Sequence, residues 1–131
     1  ANELLLFEIR KKNLNEQILI LVDQFDRKQL ELSEKRARLG NMRIEFDLVK
    51  ERVESLRRLV ASGAVSRNDL LRNRTQLQQI QTKISDLEHQ IPQAVAELSE
   101  SARRQTEARL RFRSEAEKEK TETALRIEQL D

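Results

Sequence analysis

Cysteine, tryptophan and tyrosine are missing from this 131-residue chain, which also has only two glycines, one proline and one histidine. Without cysteine there is neither a thiol metal site nor a disulfide framework. Aromatic residues make up 3% of the chain, so a compact core has few large side chains to fill it. A lone histidine, His89, excludes paired-histidine metal motifs and most acid–base dyads. No glycine-rich phosphate loop is present, and the carboxylates are scattered without a cavity to perturb them. These absences predict a protein that is not an enzyme and that takes no cofactor and no metal. The longest apolar run, Ile18 to Val22, falls far short of the roughly 18 to 20 residues of a membrane span. No signal peptide shows. The chain opens at Ala1 inside a helical pattern, which predicts a segment of a larger protein with its anchor elsewhere. A net charge of +2 gives no general attraction to nucleic acid.

What the chain does have is charge, at 37% of residues, laid over a regular spacing of aliphatic side chains. That combination points to long helices or coiled coil. Alternating steps of three and four pick out Leu4, Phe7, Lys11, Leu14, Ile18, Leu21, Phe25, Lys28, Leu32, Lys35, Leu39, Met42, Phe46, Val49, Val53, Leu56 and Val60. Only the three lysines break the apolar character, and their stems can lie along a seam. The register passes Gly40 without a change of phase, so helix is expected on both sides, with a break at Gly40 as the alternative. Ile18, Leu19, Ile20, Leu21 and Val22 are apolar right round the helix. One partner helix covers one side only, so this girdle predicts a contact with a neighbouring copy through Ile18, Leu19, Ile20 and Val22. A wide seam with a few exposed aliphatics is the alternative.

Near the middle stands Arg57 to Leu71, RRLVASGAVSRNDLL, where stop and start signals lie within four residues of each other. Gly63 suits the left-handed residue after a helix that ends at Ser62, and Ala64 is then placed to touch Leu59. Ser66 is a good N-cap, Asp69 completes a capping box, and Val65 and Leu70 have the spacing of a hydrophobic staple. The predicted fold is therefore all-α: a long antiparallel two-helix coiled-coil hairpin, with arms at 1–61 and 67–131 and a tip at 62–66. Unbroken arms of about 60 residues would reach roughly 90 Å. Five arginines (Arg57, Arg58, Arg67, Arg72, Arg74) stand around the tip against one acid, Asp69. Such an end can steer towards an acidic or carbonyl-lined partner.

The second arm continues the seam through Leu70, Asn73, Leu77, Ile80, Ile84, Leu87 and Ile91. Its most apolar continuation is Val95, Leu98 and Ala102, which predicts an extra four-residue step at Pro92 and a bend or break there. Beyond, the seam weakens through Gln105, Arg109, Phe112, Ala116, Glu119 and Thr123 before Ile127 and Leu130. Counted from the tip, Gly40 lies roughly opposite Glu88 and Pro92 opposite Lys35, predicting a flexible joint at that level.

RRLVASGAVSRNDLL between heptad arms resembles the helical hairpin of hemolysin-D-type membrane fusion proteins, also called periplasmic adaptors. RFRSEAEKEKTETALRIEQL resembles the returning arm before a lipoyl-like domain. The resemblance implies a periplasmic adaptor anchored in the inner membrane, joining a transporter there to a TolC-type outer-membrane channel. It implies homo-oligomers and type I protein secretion, with multidrug efflux by the same family, or a generic scaffold or tether, as alternatives. The related tip motif is an arginine, a leucine four residues on and a serine or threonine seven further. Leu59 and Ser66 match it; Ser55 stands at the arginine place, with Arg58 or Arg52 near enough to substitute. The residues implied to dock are Arg58, Leu59, Gly63, Val65, Ser66 and Arg67.

Overall fold

The computed structural model describes residues 2–130 and contains two helices, α1 (Asn2–Ala61) and α2 (Arg67–Leu130). They pack against each other as an all-α hairpin. Both arms run unbroken through the expected weak points. Gly40 is helical and exposed, and Pro92 lies inside α2. Gly40 adds local softness to the helix without stopping it, because the seam residues on either side, Leu39 and Met42, stay buried and half-buried.

The pair divides into two compact units, one from Leu30 to Val95 and one made of the residues up to Gln29 with those from Ala96 onward. In the first, Val49, Val53, Leu70 and Ile80 form a buried cluster, with Met42, Phe46, Leu56, Val60, Leu77 and Ile84 packed against it. All ten are seam positions of the heptad pattern. Met42 is thus core, and each fully buried aliphatic here contributes about 1.5–3 kcal/mol. Across this unit Arg43 Nη2 reaches Glu88 Oε1 at 3.2 Å. Glu88 is therefore level with Arg43, about one helical turn along from Gly40, the residue expected opposite it.

In the second unit the helices are joined by polar ties. Lys28 Nζ donates to Glu97 Oε2 at 3.1 Å, Gln105 Nε2 donates to the Leu21 carbonyl at 3.3 Å, and Arg126 pairs with Glu3. Arg10 and Glu115 line one small cavity with Phe7, Leu14, Phe112 and Ala116. Residues at opposite ends of the sequence thus lie side by side, as reversal at the tip requires.

Along α1 every expected seam residue is buried or half-buried except Leu4 and Lys11, which are exposed. Along α2 the expectation fails after Ile91. Val95 is 40% exposed while its neighbour Ala94 is 6% exposed. The three–four stepping passes Pro92 unchanged through Ala94, Leu98, Ser101, Gln105, Ala108 and Phe112, all buried or half-buried. The extra four-residue step comes later, from Ala108 to Phe112 to Ala116. Arg109, Thr123, Ile127 and Leu130 are exposed, not seam residues. The physical reason is a change in kind: the α2 seam moves from large aliphatics to alanine and serine, and hydropathy alone favours Val95 over Ala94.

Candidate functional site

The reversal is built from local hydrogen bonds. Ser62 N donates to the Arg58 carbonyl at 3.1 Å and continues the helical ladder. Gly63 N then donates to Val60 O at 3.0 Å, and Ala64 N to Leu59 O at 2.9 Å. These last two bonds make a Schellman ending, with Gly63 at φ +79°. A Cβ placed on Gly63 would meet nothing within 4 Å, so glycine is required here by backbone conformation and not by crowding. The Ser62 hydroxyl adds a bond to the same Leu59 carbonyl at 2.9 Å.

At the start of α2, Ser66 Oγ accepts from Asp69 N at 3.4 Å and donates to Asp69 Oδ2 at 3.2 Å. The capping pair is as expected, but the Asp69 carboxylate takes the serine hydroxyl as its donor; aspartate is one methylene shorter than the glutamate of the usual box. Arg72 Nη2 also approaches Asp69 Oδ1, at 3.7 Å. Asn73 is held by its side-chain amide donating to the Asp69 carbonyl at 2.8 Å. Replacing Gly63 with alanine is expected to lower stability by about 1–2 kcal/mol through the left-handed backbone alone. The measurement is the urea midpoint, with the slope unchanged.

These caps fix what the corner presents. Arg58 and Arg67 are exposed on either side, Ser66 is exposed at its cap position, and Gly63 stands open at the apex. Leu59 is 41% exposed, whereas Val65 is half-buried beneath the turn. Arg57, Arg72 and Arg74 are exposed as well, so Asp69, the one acid, is already engaged by Ser66 and Arg72. Leu71, at 47% exposure, joins this surface and is absent from the docking set implied by the resemblance. Its signal was available: Leu70 occupies the seam, so the adjacent leucine must leave it.

The girdle divides by register. Ile18, Leu21 and Val22 are half-buried, while Leu19 and Ile20 are 67% and 58% exposed. Among the described residues no group of three His, Cys, Asp or Glu could hold a metal ion, and no helix is long and apolar enough to cross a membrane. His89 is exposed, with Nδ1 2.7 Å from the Ser85 carbonyl on its own helix.

A family model described as AprE, long alpha-helical hairpin, matches residues 1–131. No curated protein and no solved structure matches the chain.

Proposed function

The chain belongs to the family of AprE long α-helical hairpins, part of a type I secretion adaptor, and from that premise we propose that its tip docks on an outer-membrane channel of the TolC type. The full-length protein, anchored in the inner membrane, then links this channel to a transporter across the periplasm. The role is mechanical coupling for protein export, and no catalytic step is assigned to it. Several copies act together, with Leu19 and Ile20 as the exposed part of a contact between neighbours.

The observation that supports docking is the composition of the corner. A rigidly capped reversal carries two partly exposed leucines, Leu59 and Leu71, amid five exposed arginines. Apolar anchors rimmed by arginine are what a partner-binding surface needs, since such anchors supply binding energy and arginine supplies both contact area and hydrogen bonds.

The test uses the absence of cysteine. Asn68 is exposed on the first turn of α2, so Asn68→Cys in the full-length protein places a single hairpin thiol at the tip. A photoactivatable crosslinker on that thiol is expected to capture the outer-membrane channel while substrate is being exported. Export proceeding normally with no channel adduct would refute the docking reading. The same label at Asp47, away from the corner, serves as the control that should give no adduct.

A further inference from the structure

Large buried apolar residues are confined to one of the two units. Leu32, Leu39, Val49, Val53, Leu70, Ile80 and Leu87 all lie between Leu30 and Val95. Among the described residues of the other unit only Ser101 and Ala108 are buried, at 8% and 2% exposure. Ser101 Oγ has no hydrogen-bond partner, so even this burial carries the desolvation penalty of a hydroxyl.

The seam of that unit is uneven. α1 offers Phe7, Leu14, Ile18, Leu21 and Phe25, all half-buried, while α2 answers with two large residues, the half-buried Leu98 and Phe112, among the small or polar Ser101, Gln105, Ala108 and Ala116. From Thr121 to Leu130 every α2 residue is exposed, as are residues 2–6 of α1. The ion pairs that cross between the helices, Lys28–Glu97 and Glu3–Arg126, have side chains 40–64% exposed. Pairs this wet contribute little to stability, and salt screens them. Most helical stability in proteins comes from packing against a partner, so arms that part lose much of what holds them.

We propose that this unit is a built-in zipper: its two helices part from each other in a local opening that leaves the Leu30–Val95 core folded. The opening runs from the chain ends towards the Lys28–Glu97 pair. Its polar ties hold register when closed, but its half-buried seam supplies little cohesion, so the spacing of the two arms can follow whatever is attached to them. The proposal stands on burial and hydrogen bonding alone and does not rest on channel docking.

Amide hydrogen exchange on the intact chain tests it directly. Amides of residues 8–25 and 100–119 are expected to exchange at least ten times faster than those of 46–56 and 77–87. Raising the salt concentration from 20 mM to 500 mM should widen that ratio. Two spin-label pairs give a second measurement: Lys12→Cys with Arg113→Cys in the weak unit, and Asp47→Cys with Gln79→Cys in the core unit, all at exposed positions. The first pair should show a broad distance distribution with a long component, the second a single narrow one. Gln105→Leu, which puts a large apolar side chain into the weak seam, should narrow the first distribution and slow exchange there by about tenfold. Equal protection in both units, or two equally narrow distributions, would overturn the proposal by showing that the pair opens only as a whole.

Discussion

Ile80→Ala is expected to lower the stability of the chain by about 3 kcal/mol, the middle of the range for truncating a fully buried isoleucine. Ile80 is 3% exposed and belongs to the cluster that contains Val49, Val53 and Leu70. Two helices give a core only one seam deep, so a cavity there has few neighbours able to collapse into it. Much of the loss is the transfer term for the removed carbons, and the rest is the unfilled space. Equilibrium urea unfolding followed by helical circular dichroism measures it. A loss below about 1 kcal/mol would show that the cluster is not where cohesion is concentrated. The same truncation at Ile127, which is 59% exposed, should change stability by less than about 0.5 kcal/mol.

Pro92→Ala is expected to act in the opposite direction, stabilising by about 2 kcal/mol. Proline inside a helix removes the bond to the Glu88 carbonyl and crowds that oxygen, a penalty of about 3 kcal/mol. Part of this is offset by the stiffer unfolded chain that proline provides, about 0.4–1 kcal/mol. Pro92 is exposed and lies off the seam, between Ile91 and Ala94, so alanine sacrifices little packing. Thermal unfolding should shift upward by several degrees. An unchanged or lower midpoint would mean that the proline ring makes a contact worth as much as the helix bond it prevents.

The fold was legible because its signals agree across scales. Period 3.5 extended along α1 with hardly a lapse, and capping chemistry at Ser62, Gly63, Ser66 and Asp69 left one place for reversal. Each residue there acts through its own backbone, so no knowledge of distant contacts was needed. The later half of α2 was legible only in part. Ala94, Ser101 and Ala108 are buried by the large residues opposite them, and an alanine carries no mark of that in sequence. Ser101 falls at the level between the Leu21–Gln105 and Lys28–Glu97 contacts, where α1 supplies Phe25. Pro92 drew the expected phase change to itself because its local effect is strong, yet packing on both sides carried the helix through. At the tip, Leu59 was legible from its resemblance to a known motif, whereas Leu71 required asking which of two adjacent leucines the seam could accept.

The way the chain reverses has a consequence for any surface that meets it. The amide hydrogens of three successive residues, Ser62, Gly63 and Ala64, are already committed to carbonyls within the same chain, and the Leu59 oxygen accepts twice. An incoming molecule therefore finds no free peptide donor on the α1 side of the corner, where these three amides are spent. Carbonyl groups that approach that side must take their hydrogen bonds from side chains, such as the exposed guanidinium groups of Arg57 and Arg58. Selectivity on that side is thus written in flexible side chains mounted on a closed backbone, and it can be altered residue by residue without disturbing the turn.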